Sequence, residues 1–217
     1  MQQVTPSFLA EQLELADQLL AGRDAMLEPQ DLPGRYGRVV KAIDRILQAT
    51  NIEAVLGGGW AVWRHGYVGR VTQDIDIALP ADRIEEFRQV AAVSGFDMLP
   101  IKPGRWPKMV HRETKVLVDI LPEGARPGTA NRLAPTTIPH PKSMGAEPGR
   151  LRYMSLPALV TLKIAAGRVR DQSDVVELLR ANLEKVAALR VKVAEVHADY
   201  ATGFDRLAQS AADQSDN

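Results

Sequence analysis

The chain contains no cysteine, and that absence removes disulfides, thiolate zinc sites and cysteine nucleophiles together. It also lacks an excess of charge: 27 Lys and Arg are set against 27 Asp and Glu. No net basic field advertises bulk binding to a nucleic-acid backbone, and only a local basic patch stays open. No apolar run approaches the ~20 residues of a membrane span. The opening MQQVTPSFLAEQ has neither the basic start nor the apolar stretch of a signal peptide. The expectation is a soluble, cytoplasmic protein with no membrane partner.

What is present is an ordinary globular composition, 45% hydrophobic and 25% charged over 217 residues. That length suits one sizeable core with an appendage, not two full domains. Thr5-Pro6 and the recurring apolar residues from Phe8 to Leu20 predict a helix over 6–21, and Val39 to Leu47 mark a second, ending near Thr50. Ile52 to Leu56 reads as a strand that enters Gly57-Gly-Gly59, followed by a short helix over 61–65. Asp74 to Leu79 alternates, with Ile75, Ile77 and Leu79 on one face and both aspartates on the other. Asp82 and Glu85 suggest a capping box with Asp82 as cap, opening a helix that runs to Gly95. Three further strands are expected over 96–99, 106–111 and 115–121. The order predicts an α+β fold, a small mixed sheet with helices packed on it.

Residues 122–150 hold six prolines and four glycines, which predicts a long loop without regular structure. Helices resume at Ser155 and near Asp171, and 183–196 continues the helical region. The organisation expected is N-terminal helices over 1–50, a core over 51–150, a C-terminal helical region over 151–200 and a frayed tail over 201–217.

Asp74 and Asp76, two apart on a strand, put their carboxylates on one face with Cα atoms ~6.5 Å apart. Hard oxygen ligands so placed favour Mg²⁺ or Mn²⁺; the plainer account is a half-exposed strand facing water. Gly58 and Gly59 stand at a strand-to-helix junction, which suits a phosphate or simply a tight turn. Joined, a phosphate turn and a metal-binding carboxylate pair make a site for a nucleoside triphosphate with its Mg²⁺. Asp119, a charge inside the apolar run Lys115 to Leu121, is the natural third carboxylate, able to bind a second ion or accept a proton; an edge-strand aspartate facing water is the other account. Asp74, Asp76 and Asp119 are therefore both the catalytic and the metal candidates.

These residues resemble a known family. Gly58-Gly-Trp-Ala61, Arg70 to Ile77, Val118-Asp-Ile-Leu121 and Leu159 to Leu179 are together similar to the DNA polymerase β-like nucleotidyltransferase superfamily, and most to small bacterial members that include abortive-infection-type toxins and antibiotic nucleotidyltransferases. The resemblance implies a sheet of the nucleotidyltransferase type and transfer of a nucleoside monophosphate from a triphosphate to an acceptor hydroxyl, with pyrophosphate released. It implies Gly58 and Gly59 as the phosphate-holding turn, Asp74 and Asp76 as metal ligands and Asp119 as the third carboxylate. It also implies a lysine near the nucleotide, matched by Lys163, and allows a partner antitoxin. One departure is that 14 residues separate Gly59 from Asp74, slightly more than in compact members.

Arg70 and Thr72 precede the aspartates, Thr72 on the face of Asp74, and both are candidates for binding the nucleotide; Arg70 could equally pair with a neighbouring acid. Lys163 either serves the nucleotide or snorkels to solvent. Asp171 and Asp174 read most simply as helix cap and first-turn acid. The stretch Gly104 to Arg112 interleaves Trp106 with basic groups, which suits an RNA acceptor or an edge strand protected by Pro and Lys. Two other functions remain: a nucleotide-binding module that has lost catalysis, and a glycosyltransferase using Asp-x-Asp, in which the glycine turn has no place. The acceptor, whether small molecule, RNA or protein, has no motif.

Overall fold

Ile75, Ile77 and Leu79 alternate with Asp74, Asp76 and Ala78 along one strand, and the sheet is organised by that alternation. The computed structural model describes residues 4–21, 28–101, 104–129 and 132–213. In chain order these form α1 (Pro6–Ala21), α2 (Gly34–Thr50), β1 (Ala54–Leu56), α3 (Gly58–Arg64), β2 (Asp74–Leu79), α4 (Ile84–Val93), β3 (Phe96–Met98), β4 (Lys108–His111) and β5 (Leu117–Pro122). There follow β6 (Gly128–Thr129), β7 (Arg132–Leu133), β8 (Leu151–Tyr153), α5 (Leu156–Ala166), α6 (Val169–Arg180), α7 (Val186–Val196) and α8 (Ala198–Asp213). The fold is α+β.

Six strands form one mixed sheet in the order β3-β4-β5-β2-β1-β8. The central pair β2 and β5 is parallel, β1 runs antiparallel to β2, and β8 is parallel to β1. One face carries Ile75, Ile77, Leu79, Val118 and Ile120 into a core closed by α2 and α4, where Ile43, Leu47 and Phe87 are fully buried. The other face meets α5 to α8, whose Leu159, Val175, Leu178, Leu189 and Phe204 form a second core with Val55 and Ala78. Each such buried side chain contributes ~1.5–3 kcal/mol of transfer free energy. The functional candidates lie on this second face, between the sheet and the C-terminal helices.

Several expectations are corrected. Asp82 caps no helix: residues 81–83 form a 3-10 turn, and α4 starts after Arg83 with no side-chain cap. The stretch 122–150 is a long connection but not a structureless one. It contains the β6-β7 pair, the Gly124 amide donates to the Ile138 carbonyl and the Ile138 amide to the Ala125 carbonyl, and Ile138 and Met144 enter the core. Proline and glycine rule out long helices and strands, yet their turns still pack when each backbone group finds a partner. Leu151–Tyr153, placed at the head of a helical region, is a sheet strand too short to show alternation. Strand β4 lies inside the sheet, and β3 is the edge. The expected frayed tail is helical through Asp213, with Tyr200, Phe204, Leu207 and Ala211 buried at helical spacing; residues 214–217 lie outside the described residues. No helix among the described residues is long and apolar enough to cross a membrane.

Candidate active site

The register of the sheet writes a row of side chains across three strands. Lys108 on β4 pairs with Asp119 on β5, and Asp119 pairs with Asp76 on β2. Residues paired directly across strands point to the same face, so this row is cation, anion, anion. Asp74, two residues from Asp76, joins the same face. The three carboxylates line a cavity of about 210 Å³ together with Gly58, Arg70, Trp106, Lys163, Arg168, Arg170 and Asp171.

Local packing explains why the carboxylates stand where they do. The chain from Arg70 to Asp74 hangs on three aromatic donors. Trp63 Nε1 donates to the Arg70 carbonyl (2.8 Å), the Tyr36 hydroxyl to that of Thr72 (3.2 Å) and Trp60 Nε1 to that of Asp74 (2.9 Å). The three rings pack against one another in turn at a tilt, with centroids 4.7 Å and 5.4 Å apart. A buried Trp or Tyr normally spends its polar atom on one partner; here each spends it on every second carbonyl of the strand's approach. The long spacing between Gly59 and Asp74 is thereby anchored on α2 and α3.

The glycines answer to close packing. Gly58 adopts φ +57°, and a Cβ there would collide with the Asp76 carboxylate. Gly59 lies over the Thr72 side chain, which would collide with a Cβ in the same way, and the Gly57 amide donates to the Asp76 carbonyl (2.8 Å). Gly58 borders the cavity; Gly59 and Thr72 lie beneath it. Thr72 does not border the cavity: it is buried, its amide donates to Gln12 Oε1 (3.0 Å), and its hydroxyl has no partner among the described residues.

Charges on the opposite wall are organised by Asp174. One of its oxygens, Oδ2, accepts from both Arg70 (2.6 Å) and Lys163 (2.6 Å), and all three side chains are largely buried. Lys163 also lies 3.5 Å from Asp171, itself 3.5 Å from Arg168. Lys163 therefore does not snorkel. The α6 cap position is Arg168, and Asp174 joins the loop before β2 to α5 and α6. Arg168 and Arg170, which border the cavity, are not singled out in the sequence, where Trp106 and Lys108 read only as part of a basic stretch and Asp174 mainly as a first-turn acid. The sequence signal available was a Lys163/Asp171/Asp174 set at spacings that bring α5 and α6 faces together, but only the turn at Gly167 settles which faces meet.

Asp76 carries the clearest electrostatic signature. Burial first, then the negative charges of Asp74 and Asp119, push its pKa up to about 7, against the pull of Arg70 and Lys163. A buried carboxylate so perturbed beside two others is the pattern of a functional-site candidate. Asp119, by contrast, is gripped by Lys108 Nζ at 2.7 Å and 2.5 Å from its two oxygens. Among the described residues no three acidic or histidine groups stand as a ready-made coordination cluster. Two bases of the stretch 104–112 are likewise committed: Lys108 to Asp119, and Arg112 to Asp97 and to the carbonyls of Ala92 and Phe96.

The mixed sheet brings an Asp-x-Asp strand beside a third carboxylate on its parallel neighbour, with a glycine turn at the rim, an arrangement similar to the core of nucleotidyltransferases. Residues 39–126 match the family model described as aminoglycoside-2″-adenylyltransferase, a span that holds Gly58, Gly59, Asp74, Asp76, Lys108 and Asp119 but less than half of the chain. No curated protein matches the chain in sequence. Among solved structures the chain is similar to a crystal structure of ANT(2″)-Ia in complex with adenylyl-2″-tobramycin, at 16% identity and TM-score 0.49, covering 75% of this chain and 97% of that one. It is also similar to a solution structure of the antibiotic-resistance factor ANT(2″)-Ia, at 22% identity and TM-score 0.48, covering 76% and 94%. A STING-associated CdnE c-di-GMP synthase from Capnocytophaga granulosa matches at 11% identity and TM-score 0.27, covering 97% and 81%. These likenesses are too loose to transfer a residue role.

Proposed function

We propose that the protein moves a nucleoside monophosphate from a nucleoside triphosphate to the hydroxyl of a small-molecule acceptor, releasing pyrophosphate, with Mg²⁺ or Mn²⁺ as cofactor. The observation that carries this reading is the row of Asp76 and Asp119 on neighbouring parallel strands, with Asp74 beside it, facing a cavity whose far wall bears Arg70, Lys163, Arg168 and Arg170.

The donors fit a divalent cation. Asp74 and Asp76 are hard oxygen ligands on one face, and burial together with the charges of Asp74 and Asp119 raises the pKa of Asp76. These two would hold the ion, with Asp119 as a third ligand or as proton acceptor. When bound, such an ion neutralises charge on the triphosphate and on the departing pyrophosphate. The chain's own residues do the rest. Arg70 and Lys163, fixed by Asp174, present two cations to the phosphate oxygens without a cost of ordering flexible side chains. Gly58 keeps the rim free of a side chain beside Asp76. Asp119, as base, takes the acceptor's proton while that oxygen bonds to the α-phosphorus and the bond to pyrophosphate breaks. The path ends with the proton passed to solvent.

For the acceptor, the name of the matching family model makes aminoglycosides the first compounds to assay. The commitment of Lys108 and Arg112 to internal ion pairs weighs against an extended RNA track over 104–112. Labelled triphosphate with Mg²⁺ is expected to label an aminoglycoside in preference to total RNA or protein, and Asp76→Asn to abolish the transfer. Metal-dependent triphosphate binding without turnover on any acceptor would instead favour a nucleotide-binding module; label on RNA would overturn the small-molecule reading.

A further inference from the structure

Lys108 is the one member of the row whose purpose the proposed chemistry leaves unexplained. It stands in register with Asp119, its ammonium spans both carboxylate oxygens, and Asp119 stands in register with Asp76 on the other side. Neighbouring strands lie ~4.8 Å apart, so Asp119 sits between a cation on one flank and a carboxylate on the other. Repulsion from Asp76 and attraction to Lys108 both draw the Asp119 carboxylate toward β4. An ion shared between Asp76 and Asp119 must draw it back.

We infer that Lys108 is a latch on Asp119: it holds the third carboxylate away from the metal pair and must release it when a divalent ion binds. This rests on the metal-dependent reading above and adds to it a regulating residue. The latch is strong enough to set a resting geometry and weak enough to yield. The Lys108 side chain is 44% exposed and that of Asp119 22%, so solvent screens the pair, as it does other partly exposed ion pairs. A divalent ion carries twice the charge of an ammonium, which is held on a flexible four-carbon stem. The site would thus meet its cofactor as a two-carboxylate pair and complete a third ligand only after exchange, which ties full assembly to occupancy. Trp106 and Pro107 precede Lys108, and the Ile120 amide donates to the Pro107 carbonyl (2.9 Å). The β4 backbone therefore stays paired while the lysine side chain swings out.

The test is calorimetric titration of Mn²⁺ into the full chain in four forms: unaltered, Lys108→Met, Asp119→Asn and the double variant. Removing the latch is expected to tighten Mn²⁺ binding about three- to fivefold, the scale of a screened ion pair. The gain should vanish in the Asp119→Asn background, because no ligand is left to be freed. Lys108→Arg should bind as the unaltered protein does. Equal Mn²⁺ affinity with and without Lys108 would overturn the latch while leaving the metal reading standing. A gain that persists in Asp119→Asn would overturn it too, since Lys108 would then act only by its field. Absence of Mn²⁺ binding in all four forms would overturn the metal reading and the latch together. Lys108 lies at the surface, and circular dichroism of each variant checks that the fold is kept.

Discussion

Gly58 and Asp76 occupy almost the same space: the carboxylate of the aspartate fills the position where any Cβ on residue 58 would be. Because Gly58 also sits at φ +57°, two independent constraints demand glycine there. Gly58→Ala is expected to lower stability by ~1–2 kcal/mol for the backbone alone and to push Asp76 out of place, reducing transfer on the order of 10²-fold. Gly57→Ala, which meets only the flexible end of Met154 at 3.1 Å, should lose far less. Thermal unfolding and transfer rates of the two variants decide this.

The elevated pKa of Asp76 has a consequence for stability. Its folded value of about 7 lies above the 3.8 of a free aspartate. Below about pH 4 both states hold the proton; between about pH 4 and 7 the unfolded chain releases it and the folded chain does not. In metal-free protein, stability should therefore fall as pH rises through that window and level off above it. Asp76→Asn should flatten this part of the profile, and saturating Mg²⁺ should reverse it by favouring the ionised form. Urea unfolding from pH 4 to 8, with and without Mg²⁺, reads the effect; an identical slope in Asp76→Asn would count against it.

Asp174 bears two buried cations on one oxygen. Asp174→Ala removes the counter-charge that Arg70 and Lys163 share, leaving Lys163 only Asp171 at 3.5 Å, and is expected to cost ~3–5 kcal/mol. Lys163→Met in the same background should return part of that loss, since it removes one of the stranded charges. Denaturant midpoints of the two variants make the comparison.

Trp60 is buried and donates its indole N-H to the carbonyl of Asp74. Trp60→Phe keeps an aromatic ring but strands that carbonyl, for a cost of ~1–3 kcal/mol. Transfer should fall by more than the stability loss explains, because the first carboxylate of the site loses its anchor. Leu47→Ala, an equally buried change in the same core, should destabilise with little effect on the rate of the folded fraction.

How much of this was legible in the sequence differs from element to element. Period-2 alternation over 74–79 located β2 and the face of its aspartates, because a strand has only two faces and apolar residues claimed one of them. Pro6, Ser155 and Gly167 bounded α1 and α5 by their own backbone preferences. Asp119 stood out as a charge in an apolar run. Strand β8 did not, since three residues carry no period, and the helix of 198–213 reads as a tail from its small, polar end, although Tyr200, Phe204, Leu207 and Ala211 stand at helical spacing and are buried against α6 and α7.

The sequence by itself determined the local facts: which residues are glycine where no side chain fits, which carboxylates share a strand face, which runs turn as helices. Only the tertiary structure decided the pairings. That Lys108 meets Asp119, that Asp174 gathers Arg70 from a loop 104 residues away, and that Trp60 reaches Asp74 follow from strand register and helix packing. Those are set by the burial of both sheet faces at once, a condition that no single segment contains.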